Sequence, residues 1–228
     1  MRWERGLSST KLPSSPKAIL IDLDGTLADS MAVMRVSYQK FLERFQAKTT
    51  DEEFAALNGP PLVEVVRRLK ITHSLEGDIE TLLATYFDII DLAYSRVAPS
   101  PGADALLARA KENHCSVGIV TSNSLKRTQM WLDAMNFSHL ISFIVSGEDV
   151  LRGKPNPEPY LQGIKKAECH SSSIIAVEDS TQGARSAVDA GLRTFLLTET
   201  DTSDDWPAGV LPVRSLYQLT DELFGRVR

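Results

Sequence analysis

The chain has 228 residues, enough for one large domain or a core carrying an insertion, and its 43% hydrophobic and 24% charged residues suit a globular protein and neither a disordered nor a membrane-spanning one. A formal net charge of −5 without a basic stripe speaks against a nucleic-acid-binding surface, because phosphate-backbone binding needs clustered Lys and Arg. Cys115 and Cys169 form no Cys-x-x-Cys pattern, so neither a disulfide framework nor a zinc site is expected, and a cytoplasmic setting follows.

Residues 1–16 are rich in Ser and Pro, carry no apolar run of signal-peptide length, and read as a loose tail. Ala18 to Ile21 is a short apolar strand, followed at once by Asp22, Asp24 and the turn-former Gly25. Met31 to Phe45 has apolar residues three or four apart and predicts an amphipathic helix. Pro60-Pro61 suits the first turn of a second helix running through Leu69, and Leu75 to Tyr94 gives a third helical pattern. Residues 30–98 thus read as a helical insertion, closed by the stiff Pro99-Ser100-Pro101-Gly102.

Beyond it, helix and strand alternate. Helices are predicted over Ala103 to Glu112, Leu125 to Met135, Pro157 to Ala167 and Thr181 to Ala190. Strands are predicted over Val117 to Val120, Ile141 to Val145, Ile174 to Val177 and, last, Thr194 to Leu197. Repeated β-α units of this length imply an α/β fold, a parallel Rossmann-like sheet with helices on both faces, built from residues 17–29 and 99–228.

Acidic and polar residues cluster where these strands end, and ligands of open α/β sheets bind at that edge. Asp22 and Asp24 can divide labour, one anionic as nucleophile or metal ligand and the other carrying a proton, or the Asp-Gly turn merely leads to a helix capped by Asp29 or Ser30. Thr121-Ser122-Asn123 offers a hydroxyl and backbone N–H groups that could cradle phosphate at a helix start, or simply an N-cap by Ser122, Asn123 or Ser124. Prolines alternating with polar residues in Gly153 to Tyr160 would hold Lys154 in a stiff loop, although a lone Lys is usually a solvated charge. Glu178 and Asp179 are adjacent acids that suit a hard divalent cation, or Asp179 or Ser180 caps the next helix.

Taken together the four stretches resemble the haloacid dehalogenase superfamily. Asp-Leu-Asp-Gly-Thr-Leu-x-Asp-Ser is similar to its first motif, Val-Thr-Ser-Asn to its second, Gly-Lys-Pro-x-Pro to its third and Val-Glu-Asp-Ser, with Gly183-Ala184 and Asp189-Ala190-Gly191, to its fourth. The motifs stand in family order, and the last resembles the subfamily of phosphoglycolate phosphatases and β-phosphoglucomutases. The resemblance implies Asp22 as nucleophile on a phosphate monoester, Asp24 as general acid and base, the Thr121 hydroxyl on the phosphoryl group with Ser122 and Asn123 beside it, and Lys154 neutralising charge. It also implies Mg2+ bound by Asp22, the Asp24 main-chain carbonyl and Asp179, with Glu178 in support, and a small helical cap over residues 30–98.

The expected function is a magnesium-dependent phosphatase that hydrolyses a small phosphorylated metabolite through an aspartyl-phosphate, with no nucleic-acid or membrane partner. Alternatives are a mutase of the β-phosphoglucomutase type or a weakly active member that binds a regulatory ligand. Asp24 separates the chain from the family's dehalogenases, which lack that second acid. Mutases of this type usually carry a His early in the first cap helix, in the neighbourhood where this chain has Met34, and an Arg shortly after the Gly of the next cap loop, where Leu62 here stands three residues after Gly59, which favours the phosphatase. Met31 and Met34 are candidates to line the pocket, and Arg35, Arg67, Arg68 and Lys70 candidates to meet an anionic substrate, although solvated helix charges are the commoner fate.

Overall fold

A computed structural model describes residues 15–57, 60–94 and 97–226; most of the predicted N-terminal tail, and Gly59, lie outside the described residues. The first strand, β1 (Ala18–Ile21), is buried along its whole length. Its alternate side chains serve two cores: Ile19 and Ile21 face one hydrophobic cluster, Ala18 and Leu20 another, which is the period of two that a strand covered on both faces requires.

Five helices separate β1 from the next strand, and the first four make up the helical segment: α1 (Met31–Glu43), α2 (Asp51–Ala56), α3 (Leu62–His73) and α4 (Ile79–Tyr94). α1 and α3 both pack on α4, and the Phe41 ring stacks on Tyr86 with centroids 4.5 Å apart. α2 escapes the sequence reading because it buries no residue and so has no apolar period to detect; Thr50 caps it, accepting from Glu53 N. Pro61 sits at the N-cap of α3 instead of within the first turn, and the pattern from Leu75 becomes helical only at Ile79, after Gly77 with a φ of 98°.

The two passages between the helical segment and the sheet hold each other. Asp29 N donates to Ala98 O and Ser100 N to Leu27 O, both at 2.9 Å, around an antiparallel bridge of Ala28 with Pro99.

Then come α5 (Ala103–Glu112), β2 (Ser116–Val120), α6 (Leu125–Ala134), β3 (Phe143–Val145), α7 (Glu158–Ala167), β4 (Ile174–Glu178), α8 (Thr181–Asp189) and β5 (Arg193–Leu197). The sequence reading ends its strands there, but β6 (Leu211–Val213) adds a further parallel edge strand on β5, followed by α9 (Leu216–Phe224). β6 has only three residues with Pro212 in the middle, and a proline is tolerated only at such an edge, where one missing donor does no harm.

The sheet order is β3-β2-β1-β4-β5-β6, all parallel. Chain order reverses between β1 and β4, and the crevice outside the carboxyl ends of strands at such a switch point is where an open sheet can hold a ligand.

Candidate active site

The loops after β1, β2 and β4 converge at that crevice. Asp22, immediately after β1, is pinned by its N–H to Val177 O at 2.9 Å, and Thr121, immediately after β2, by its N–H to Val145 O at 2.9 Å. Lys154 arrives from the loop before α7 and is 4% exposed. Its ammonium has three donors and three acceptors: Asp22 Oδ1 at 2.6 Å, Glu178 Oε1 at 2.5 Å and Val120 O at 2.9 Å. The solvated-charge reading of this lysine therefore fails. Burial alone would pull its pKa down; the carboxylates of Asp22 and Glu178 outweigh burial and hold it above the ordinary lysine range.

Glu178 is fully buried and engaged on both oxygens. Tyr160 donates to Oε1 at 2.6 Å and Ser180 to Oε2 at 3.3 Å, while a Cβ on Gly183 would collide with the carboxylate. Asp179 sits beside it, with Thr26 donating to Oδ1 at 3.4 Å, and Gly25, at a φ of 82°, leaves room for the other oxygen. One ligand oxygen from each of Asp22, Glu178 and Asp179 falls within 4.8 Å of the others. Burial pushes the Asp22 carboxyl well above the usual carboxylate range; Lys154 opposes this and the charges of Glu178 and Asp179 add to it. Three hard oxygen donors facing one ammonium are short of positive charge, so this donor set fits a divalent cation such as Mg2+.

Asp24 is held apart from this cluster. Tyr94, at the end of α4, donates to Oδ1 at 2.7 Å, and Asn123 Nδ2 donates to Oδ2 at 3.1 Å. Asn123 Oδ1 in turn accepts from Arg127 at 2.7 Å, and the same guanidinium donates to Asp91 of α4 at 2.6 Å and lies over the Phe87 ring, 5.1 Å from its centroid. The Thr121 hydroxyl is turned back to accept from Asn123 N at 3.0 Å. Capping falls to neighbouring residues: Ser124 caps α6, accepting from Arg127 N, and Ser180 caps α8, accepting from Gly183 N. The Ser30 hydroxyl makes no capping bond to α1.

All eight residues singled out in the sequence thus meet: Asp22, Asp24, Thr121, Ser122, Asn123, Lys154 and Asp179 border one cavity of about 270 Å³, and Glu178 lies directly behind Lys154. Three residues that sequence reasoning missed complete the arrangement. Tyr160 lies six positions after Lys154 on the first turn of α7, and Arg127 follows Asn123 at the i,i+4 spacing of one helix face, so each left a local trace. Tyr94 left none, being 70 positions from the acid it touches.

Arg35, Arg67, Arg68 and Lys70 do not border the cavity. Arg35 pairs with Asp51, Arg68 with Glu64, and Lys70 donates to Leu75 O and Gly77 O. Met31 and Met34 do line the cavity.

Comparison with known proteins bears on the same residues. The chain is 26% identical over 181 residues to the pyrophosphatase PpaX of Oceanobacillus iheyensis, covering 79% of this chain and 82% of that one. It is 26% identical over 181 residues to 6-phosphogluconate phosphatase of Escherichia coli, covering 78% and 81%. Its fold matches the crystal structure of CbbY from Rhodobacter sphaeroides in complex with phosphate, with a TM-score of 0.77 and 24% identity over 90% of this chain and 96% of that one. The family model of the haloacid dehalogenase-like hydrolases matches residues 19–197, a span that runs from β1 to the end of β5 and takes in every residue of the acid and lysine cluster; the chain belongs to that family.

Proposed function

We propose that the chain is a magnesium-dependent phosphatase that hydrolyses a small phosphorylated metabolite through an aspartyl-phosphate on Asp22. The observation that carries this reading is the separation of two acids on one turn: Asp22 is locked to Lys154, while Asp24, two residues on, is held independently by Tyr94 and Asn123. Named relatives act as phosphatases on small phosphorylated compounds, which supports it.

In this mechanism an Asp22 carboxylate oxygen attacks phosphorus, the ester P–O bond breaks, and Asp24 delivers a proton to the departing oxygen. Asp24 then takes a proton from water as that water attacks the acyl-phosphate, returning Asp22 as carboxylate and releasing phosphate. The Tyr94 hydroxyl can donate to a carboxylate and accept from a carboxylic acid, so its contact with Asp24 survives both proton states. Lys154 and the Thr121 hydroxyl, with the Ser122 amide in the loop before α6, offset the charge of the phosphoryl oxygens, while the Asn123 amide holds the Thr121 hydroxyl. Mg2+, held by Asp22, Asp179 and the Asp24 main-chain carbonyl with Glu178 behind them, supplies further neutralisation of that charge when bound.

Residues 30–98 act as a cap whose helices complete the cavity and exclude bulk water. Among the described residues this segment brings no Lys, Arg or His to the cavity, so a sugar bisphosphate would find no anchor for a second phosphate there. That favours a phosphatase over a mutase. The test is turnover of p-nitrophenyl phosphate by the full chain after exhaustive chelation and after adding back Mg2+: at least about a 100-fold recovery is expected. Equal rates in the two samples would overturn the metal assignment, and no turnover in either would overturn the phosphatase reading.

A further inference from the structure

The cavity has two unlike ends. Its floor is the acid and lysine cluster; its roof, drawn from the helices between β1 and β2, consists of half-buried Met34, Phe54, Leu62, Leu83 and Phe87 around the ring of Tyr86. We infer that the phosphate ester this site is built for carries an apolar leaving group, an alkyl or aryl alcohol with one phosphate and no second anion. The inference rests on the phosphatase reading, because only a phosphoryl group seated on Asp22 points its ester oxygen, and the group attached to it, at that roof.

The physical case turns on what a polar leaving group would lose. Among the described roof residues, a polyhydroxylated one would give up its water on entering and find only the Tyr86 hydroxyl among otherwise apolar side chains, which leaves buried polar groups unpaired. A second anion would fare worse. Arg127, the cation bordering the cavity on the core side beside Lys154, is already divided between Asp91 and Asn123, and Glu148, also at the border, is acidic. The basic residues of α1 and α3 lie elsewhere, and His73 is paired with Glu53. An apolar ring, by contrast, would remove from water the half-exposed aromatic and aliphatic surface that the roof presents.

The experiment compares three substrates on the full chain with Mg2+: acetyl phosphate, too small to engage the roof, and cyclohexylmethyl phosphate and glucose 6-phosphate, both esters of primary alcohols with leaving oxygens of similar basicity. The expected result is kcat/KM for cyclohexylmethyl phosphate at least about 100-fold above that for glucose 6-phosphate. Leu83→Gln is expected to reduce that ratio by about tenfold, mostly through KM, while Ile71→Gln, on α3 at a site 80% exposed, leaves it unchanged. Turnover of acetyl phosphate together with equal or better use of glucose 6-phosphate overturns the inference and leaves the phosphatase reading standing. Failure to turn over any of the three substrates, with p-nitrophenyl phosphate also inert, overturns the phosphatase reading itself. A preference for the apolar ester that Leu83→Gln does not alter overturns the assignment of selectivity to the roof.

Discussion

The floor and the roof of the cavity are built on opposite principles. On the floor every charged group is held by named partners: Lys154 by three acceptors, Glu178 by Lys154, Tyr160 and Ser180, and Asp24 by Tyr94 and Asn123. Among the described residues the roof presents no charged side chain to the cavity, and on the proposed reading it would select its contents through shape and apolarity. The difference teaches where each property of the enzyme can be changed. Substitutions on the floor should act on the chemical step whatever the substrate; substitutions on the roof should act on selection among substrates and largely spare the rest.

The largest effect is expected from Asp22→Asn, which removes the proposed nucleophile and should lower kcat by about 10⁴-fold or more on every substrate. Single-turnover assays, with deamidation excluded by mass spectrometry, check it, and appreciable activity in that variant would remove Asp22 from its assigned role. Asp24→Asn should cost about 10²- to 10⁴-fold on alkyl phosphates and clearly less on p-nitrophenyl phosphate, whose leaving group needs little protonation. A uniform loss would point away from proton transfer.

Lys154→Met should destabilise the fold by about 3–5 kcal/mol, because Asp22 and Glu178 would stay buried without their cation. Urea unfolding measures this. Since the folded-state pKa of Lys154 is raised, the contribution should be present in full below the ordinary lysine value of 10.5 and decline as pH rises beyond it, so the gap between the two proteins should narrow in alkali. The smallest effect belongs to Arg127→Gln, which frees Asn123 from one partner and α4 from its tie to α6; a fall in kcat of about tenfold with KM little changed is expected. A change confined to KM would instead make Arg127 part of the roof.

Much of the floor was legible in the sequence because parallel sheets place strand-end residues side by side. Asp22, Thr121 and Glu178 each closed an apolar run, and a local pattern sufficed to find them. Lys154 needed the proline-stiffened string around it. The supporting residues were legible in proportion to how local they are: Tyr160 and Arg127 lie within a helix turn or two of a motif, whereas Tyr94 reaches Asp24 only through the packing of α4. The helical segment was readable where it buries a face, as in α1, and unreadable in α2, which buries none. β6 was lost to the opposite cause: its partner strand, not its own three residues, makes it a strand.

Tyr94 and Asp91 belong to the helical segment, yet they bond to Asp24 in the loop after β1 and to Arg127 of α6. The segment therefore cannot be treated as an exchangeable lid. A chimera that receives residues 30–98 from a relative would inherit that relative's selectivity only if the graft restored a hydroxyl at position 94 and a carboxylate at position 91. Without them it would combine a new roof with a loosened Asp24, and a slow chimera would report on that broken seam instead of on its new specificity.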